Sequence, residues 1–347
     1  MTEPFRGTLI GCGFFARNHM HGWAEAEGAE IVAVCDLDRA RAEAFAAGFG
    51  ARPYADAAEM LAAERPDFAD IATTVESHRP LVELCLAHGA ATICQKPFAE
   101  TYADAAAMVA AAERAGRPLI VHENFRWERP FLRARARLSE IGRPTFARLS
   151  FRHGHDVYAG QPYLLTTRRF AIMDVGLHLF DAARFLLGDA RDVHCRTQSL
   201  KPGLAGEDAF LATLGLETGA VASVECSFFS KIAPDPFPQT LLWIEGTEGV
   251  VEVTGDYRLR LHRDGRVEEE DVEPPVPAWG ARPWHAVQDS VAAFERHVVE
   301  VLRGRAEPQP SGAHNLATLA MALAAYRSAE TGRTIDLAAF VAEGARI

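Results

Sequence analysis

A lysine and a histidine are the side chains in this chain best suited to moving a proton, or steadying charge, at a carbinol. Lys96 lies in Cys94-Gln95-Lys96-Pro97-Phe98, directly after an apolar run, and the proline that follows restrains it. Lysine suits acid–base work when burial or a nearby positive charge lowers its pKa. His178 lies in Asp174-Val175-Gly176-Leu177-His178-Leu179-Phe180-Asp181. Spacings of four and three put Asp174, His178 and Asp181 on one face of the helix that this stretch opens. Each residue also has a purely structural reading. Lys96 fits a surface loop, and Asp174 fits an N-cap. His178 fits a satisfied core histidine among Leu, Phe and Ala, and Asp181 reads better as support for a neighbour than as a reacting group.

A third cluster tips the balance towards catalysis. Gly11-Cys12-Gly13-Phe14-Phe15-Ala16 follows the apolar run Thr8-Leu9-Ile10, and Asp36 closes a second run, Ile31-Val32-Ala33-Val34-Cys35. In a dinucleotide site, Gly11 permits the tight turn and Gly13 admits a pyrophosphate to the backbone. Ala16 stands in for the third glycine and lets the helix sit close to the sheet. The helix N-terminus offers N–H groups and partial positive charge to a diphosphate, with Phe14 and Phe15 in the same turn. Asp36 accepts from the ribose hydroxyls, which favours NAD, while Arg39 close by keeps NADP open. The plainer alternative is a tight βα turn without a ligand. Cys12 in this turn reads as a small filler rather than a redox sensor.

These residues need elements to hold them. Apolar runs at Thr8–Ile10, Ile31–Cys35, Phe68–Thr73, Ala91–Cys94 and Leu119–His122 alternate with Ala-rich helical stretches such as Asp38–Phe49, Arg79–His88 and Tyr102–Ala115. That alternation predicts a mostly parallel sheet with helices on both faces, Gly116 ending the last helix. Ligands of such sheets bind beyond the strands' carboxyl ends. Thr73, Thr74 and His78 occupy one such end and Gln95-Lys96 another. Thr73 to His78 also reads as a capped helix start. Asn124, Arg126 and Trp127 follow the last strand, where the two domains are expected to meet, suited to nicotinamide or substrate; Trp127 equally fits interface packing.

From about residue 145 the pattern turns to longer strands, several joined by hairpin signals at Glu217-Thr218-Gly219, Gly246-Thr247-Glu248-Gly249 and Asp264-Gly265. Val221, Ser223, Glu225 and Ser227 alternate with an apolar set, as in an antiparallel sheet with one face on a core. Its mixed face is a natural pairing surface between copies. A Pro-rich link leads to helices near 285–303 and 313–330. Arg152 to Tyr158, with His153, His155 and Asp156, and then Gln161 to Tyr163, supply hydrogen-bonding side chains suited to a polyhydroxylated ligand. No tetrahedral ligand set stands at a recognisable spacing, so no metal is expected. Trp284 and His285 are weaker candidates for the same cleft.

At 347 residues two domains are expected. The net charge of -11 argues against a nucleic-acid partner and against anionic membranes. No apolar run approaches the roughly 18 residues that span a bilayer. The opening Met1–Arg6, with Glu3 and Pro4, lacks a signal-peptide core. Six cysteines without a C-x-x-C pair read as reduced, buried thiols. The expectation is a cytoplasmic protein.

Taken together these motifs resemble the glucose–fructose oxidoreductase/inositol dehydrogenase/rhizopine-catabolism (Gfo/Idh/MocA) family over essentially the whole chain. Gly11 to Ala16 matches its phosphate turn. Gln95-Lys96-Pro97 matches its Glu-Lys-Pro signature, with glutamine for the usual glutamate. Asp174, Gly176, His178 and Asp181 match its Asp-x-Gly-x-His-x-x-Asp signature in full, and Ser311 to Arg333 resembles its closing helix. The resemblance implies an α/β fold: an N-terminal Rossmann domain (1–123) binding NAD(P), and a C-terminal α+β domain (124–347) with a large, open, mainly antiparallel sheet for substrate binding and oligomerisation. It implies hydride transfer between nicotinamide and a secondary alcohol of a sugar, sugar acid or cyclic polyol. His178, oriented by Asp174, is then the base and Lys96 steadies the reacting oxygen. The cofactor contacts are Gly11, Gly13, Phe14, Phe15, Ala16, Asp36, Thr73, Thr74, His78, Gln95, Lys96 and Asn124. The substrate contacts are Arg126, Trp127, Tyr163, Asp174 and His178. A homodimer or homotetramer is expected. The alternatives are an NAD-assisted glycoside hydrolase and a non-catalytic NAD-binding sugar sensor, the latter disfavoured by the intact lysine, aspartate and histidine.

Overall fold

The computed structural model describes residues 3–345. The chain divides into two compact units. One holds the residues up to Asn124 together with Gln288–Leu316, and the other holds Phe125–Val287 and the residues from Ala317 on. The first unit therefore reclaims a late segment that lies beyond a single boundary at residue 123.

The first unit runs β1 (Phe5–Ile10), α1 (Ala16–Glu25), β2 (Ala29–Cys35), α2 (Arg39–Ala47), β3 (Arg52–Tyr54), α3 (Ala57–Glu64), β4 (Phe68–Ile71), α4 (His78–Ala87), β5 (Ala91–Gln95), α5 (Tyr102–Ala115) and β6 (Leu119–His122). Its sheet has the order β3-β2-β1-β4-β5-β6, and every pairing is parallel. The order reverses between β1 and β4, which opens a crevice at their carboxyl ends. Strands β4, β5 and β6 are buried along their length, as near-continuous apolar runs require. Leu9, Cys12, Ala16, Met20, Val34, Ala42, Phe45 and Ala46 pack as one core cluster under the phosphate turn. Gly116 ends α5 at φ 59°, the left-handed conformation that glycine adopts without penalty. The strand β3 escapes a hydrophobicity reading because Arg52-Pro53-Tyr54 is short and carries a charge.

The second unit contains α6 (Arg129–Arg137), β7 (Pro144–Arg152), α7 (Val157–Gly160), α8 (Leu177–Leu187), β8 (Ala190–Gln198), β9 (Ala209–Leu216), β10 (Val221–Ser227), β11 (Leu241–Gly246), β12 (Gly249–Val253), β13 (Arg258–Arg263) and β14 (Arg266–Asp271). After α9 (His285–Leu302) and α10 (Gly312–Thr331), which run between the units in sequence, come β15 (Ile335–Asp336) and α11 (Leu337–Ala342). Nine strands pair in the order β14-β13-β12-β11-β7-β10-β9-β8-β15. Only β7 and β10 are parallel; the other pairings are antiparallel. Helix α8 lies against β7 and β10. On the other face Phe146 stands opposite Val221 and Leu211 opposite Glu225, and all three apolar side chains are exposed. This is the mixed face that the alternation predicts. Among the described residues no helix is long and apolar enough to cross a membrane.

Candidate active site

The phosphate turn separates two kinds of glycine. Gly11 adopts φ +99°, and a Cβ there would sit 2.6 Å from the Ala72 carbonyl oxygen, so the fold itself demands it. Gly13 is exposed, and a Cβ on it would meet nothing within 4 Å. The surrounding protein leaves room for a side chain at 13, so a glycine there fits a ligand approaching from outside. Helix α1 then starts with no side-chain cap and no acidic residue in its first turn. That start, with the Asn18 N–H already bonded to the Phe15 carbonyl, suits an anion at the remaining N–H groups. Phe14 is 71% and Leu37 95% exposed, bare apolar side chains next to the carboxyl ends of β1 and β2. These features fit a dinucleotide.

Asp36 is already braced. Its Oδ2 accepts the Cys12 N–H at 3.0 Å, its Oδ1 accepts the Asp38 N–H at 2.9 Å, and Arg41 lies 3.6 Å away. A carboxylate offers about four lone-pair sites, so capacity remains for two ribose hydroxyls. The Cys12 thiol is pushed up to about 12, by burial first and Asp36 second. It stays neutral, in keeping with a filler.

Several expected cofactor contacts turn their side chains inward. His78 is buried, with Nδ1 3.3 Å from the Phe98 carbonyl and Nε2 3.2 Å from that of Thr73; burial lowers its pKa. As a neutral ring it donates to one of these carbonyls, and its burial between the ends of β4 and β5 makes it a brace there. Gln95 is buried too, its Nε2 3.0 Å from His19 Nε2 and its Oε1 accepting the Lys96 N–H at 2.6 Å. Asn124 is buried and donates from Nδ2 to Ser290 Oγ at 2.7 Å. By contrast Thr74 is exposed, and Thr73 and Lys96 are half-buried. The Thr73 hydroxyl accepts from Ser77 Oγ at 2.7 Å. Phe15 is half-buried, its ring edge-on to His19.

In the second unit the histidine helix begins earlier than its sequence suggests. Asp174 is not an N-cap. It sits inside one turn of π-helix, Ile172–Gly176, and its own N–H donates to the Phe170 carbonyl at 2.8 Å. Such wide turns recur at functional sites. Gly176 lets this turn approach β9, where a Cβ would stand 3.1 Å from the Phe210 ring. His178 follows in α8, buried, its ring stacked on Phe125 at 3.9 Å between centroids and 6° between planes. That stacking fixes the ring plane. Asp174 is half-buried; burial first and the Asp174 charge second raise the Tyr163 phenol pKa.

Arg126 does not present its guanidinium as a substrate ligand would. It is 3% exposed, and Asp181 holds its guanidinium through two hydrogen bonds. The supporting role read for Asp181 is thus the clamp of an arginine. Trp127 is half-buried. His153 is buried among Phe151, Phe228 and Phe237, and burial brings its pKa down to about 4. It is neutral at physiological pH.

One buried trio elsewhere has the composition of a metal site: His19, His122 and Glu295, with ligand atoms within 4.8 Å of one another. Its geometry opposes that use. The two imidazoles are stacked, 3.9 Å between centroids and 19° between planes. Metal ions bind imidazole nitrogen in the ring plane at roughly 2 Å. Two such stacked planes do not meet at that range.

Comparison with known proteins agrees with this geometry. Residues 5–123 match a model described as "Oxidoreductase family, NAD-binding Rossmann fold", and residues 131–252 match the GFO/IDH/MocA C-terminal domain. The D-apiose dehydrogenase of Paraburkholderia graminis is 49% identical over 98% of this chain and 92% of its own length. A D-apiose dehydrogenase of Rhizobium rhizogenes is 46% identical over 98% of this chain and 99% of its own. Among solved structures, an oxidoreductase from Agrobacterium radiobacter in complex with NAD+, L-tartaric acid and magnesium superposes with a TM-score of 0.95 at 46% identity, covering 98% of this chain and all of that one. The WlbA dehydrogenase from Bordetella pertussis, in complex with NADH and UDP-GlcNAcA, gives 0.77 at 25% identity, covering 96% and 99%. With a phosphate turn shaped for a dinucleotide and both domain models matched, the chain belongs to the Gfo/Idh/MocA family and is an NAD-dependent oxidoreductase.

Proposed function

We propose that the protein is a sugar dehydrogenase that oxidises a secondary carbinol of D-apiose or a closely similar sugar. The observation that carries this reading is the near-full-length identity of 49% and 46% to two D-apiose dehydrogenases, with Lys96, Asp174 and His178 all present. NAD supplies the hydride acceptor when bound. His178 takes the hydroxyl proton, its ring plane set by Phe125 and its orientation by Asp174. Lys96 hydrogen-bonds the same oxygen and steadies the negative charge that develops on it. Tyr163 and the neutral His153 serve the remaining hydroxyls. Gly11, Gly13, Ala16 and Asp36 hold the dinucleotide, with Thr73 and Thr74 at the end of β4. The exposed Phe146, Leu211 and Val221 support association of copies through the second sheet, which light scattering on the purified protein checks.

The test is NADH formation by purified protein across D-apiose, other aldoses, inositols and sugar acids. D-Apiose is expected to give the highest kcat/KM. Lys96→Ala and His178→Ala are each expected to lower kcat by about 100-fold or more while NAD still binds. Activity on an inositol in preference to every aldose overturns the substrate class. Normal turnover in either variant overturns the assigned roles. Silence across the panel despite NAD binding points to an NAD-assisted hydrolase or a sensor.

A further inference from the structure

Behind Lys96 runs a chain of buried polar side chains that the reaction itself does not use. Trp23 and His19 on α1 both reach Asp70 on β4: Trp23 Nε1–H and His19 Nδ1 each lie 2.8 Å from Asp70 Oδ2. His19 and Asp70 are fully buried. The other imidazole nitrogen, Nε2, is 3.0 Å from Gln95 Nε2, and Gln95 Oε1 accepts the Lys96 backbone N–H at 2.6 Å.

The protons in this chain are fixed by its ends. The Lys96 N–H can only donate, so Gln95 must turn its oxygen to it and its NH2 to His19. His19 Nε2 must then be a bare acceptor, and the imidazole proton sits on Nδ1, donated to the Asp70 carboxylate. Asp70 is anchored in turn by Trp23. One tautomer and one amide orientation satisfy every link. A glutamate at 95 would bring no proton for the His19 lone pair, so glutamine and neutral histidine form a matched pair.

We propose that His19, acting through Gln95 and held by Asp70, is a positioning residue that sets the backbone of Lys96 for the reaction. The proposal rests on the reading of Lys96 given above. Without the His19 acceptor the buried Gln95 NH2 group has no partner, and the side chain must turn. The Lys96 N–H then loses its acceptor, and the lysine moves from the reacting oxygen. Misplacement on the ångström scale costs catalysis heavily.

The experiment compares His19→Ala, His19→Gln, Lys96→Ala and the His19→Ala/Lys96→Ala pair in the full-length protein. Each is assayed on D-apiose at saturating NAD, with NAD affinity followed by fluorescence. His19→Ala is expected to lower kcat about 10- to 100-fold, with NAD affinity changed by less than about threefold. His19→Gln, which returns an acceptor oxygen to Gln95, is expected to recover most of the loss. The double variant is expected to be no slower than Lys96→Ala alone, because a residue that acts through the lysine has nothing left to act on. A merely structural role slows both backgrounds equally, and that outcome overturns the proposal. So does wild-type kcat in His19→Ala. If His19→Ala fails to fold, Gln95→Met cuts the chain beside Lys96 without touching α1, and wild-type kcat there overturns the proposal equally. Full turnover in Lys96→Ala refutes the catalytic reading of the lysine itself, a different failure with its own signature.

Discussion

Asp181 holds Arg126 with both of its oxygens: Oδ2 accepts from Nε at 2.7 Å and Oδ1 from Nη2 at 2.6 Å, with both side chains buried. Thr318 Oγ1 lies 3.4 Å from Asp181 Oδ1 and accepts from Arg184. The family's final motif aspartate is thus committed to an arginine four residues after β6. Removing it takes away the carboxylate that accepts two hydrogen bonds from a buried guanidinium. Asp181→Ala is expected to cost about 3–5 kcal/mol of stability. Replacing both partners together, as Arg126→Met with Asp181→Leu, is expected to cost less, because no lone charge remains. Urea unfolding of the three variants decides it. A loss below about 1 kcal/mol for Asp181→Ala contradicts the clamp.

The two turn glycines make opposite predictions. Gly11→Ala must place a side chain at φ +99° and against the Ala72 carbonyl, and is expected to destabilise by about 1–3 kcal/mol. Gly13→Ala meets open space in the protein and is expected to leave the melting temperature unchanged. Its effect should fall on NAD affinity, weakened about tenfold or more, since the added methyl stands where the backbone must approach a pyrophosphate. Calorimetry and NAD titration of both variants separate the cases. Unchanged NAD affinity in Gly13→Ala would remove the argument for the turn as a phosphate cradle.

Asp36 is expected to set the coenzyme choice. A hydrogen bond to a charged acceptor contributes about 1.5–3 kcal/mol. Asp36→Ala should therefore weaken NAD by roughly 10- to 100-fold and NADP much less, as the carboxylate also repels a 2′-phosphate. The loss includes the brace on the Cys12 and Asp38 N–H groups, so thermal stability is measured alongside. An unchanged NAD to NADP ratio assigns the preference to another group, such as Arg41.

Glu295 gives the protein a pH dependence of its own. Burial first, and Asp70 second, raise its pKa well above the ordinary 4.5. Among the described residues neither carboxyl oxygen has a hydrogen-bond partner. The folded protein keeps a proton there that the unfolded chain releases above about 4.5, so the folded state binds more protons over that range. Its contribution is full below that pH and is lost as pH rises through the raised pKa. Glu295→Gln keeps the neutral shape and removes the loss. The variant is expected to gain on the native protein steadily from acid to alkaline pH in urea midpoints. Parallel curves would show that Glu295 does not titrate this way.

Much of this architecture is legible in the sequence, for reasons local to each segment. The phosphate turn is readable because a tight βα turn needs glycine at 11, and its flanking strands are apolar runs. Asp36 is readable because it ends one of those runs. The opening of the histidine helix is not. An acid before Leu177-His178-Leu179-Phe180 looks like a cap, yet Ile172–Gly176 is already helical, and a π turn leaves no periodic trace. Contacts between distant segments are equally silent. Nothing near Arg126 announces Asp181, and nothing near Gln95 announces His19, because each pair is made by the sheet order or by helix packing. Polar residues at strand ends look alike in sequence whether they face a ligand, like Thr74, or a brace, like His78.

The first unit is written in two pieces. Its sheet ends at β6, yet Ile120 bridges to Ser311, Asn124 donates to Ser290, and Arg303 reaches the Glu27 carbonyl at 3.0 Å, all from the returning 288–316 segment. A gene cut after Asn124 would therefore encode an unfinished nucleotide-binding domain, with Asn124 and the β6 edge deprived of their partners. Exchange of coenzyme modules between relatives by a single crossover would inherit the same defect. Three junctions, at 124/125, 287/288 and 316/317, must be respected at once.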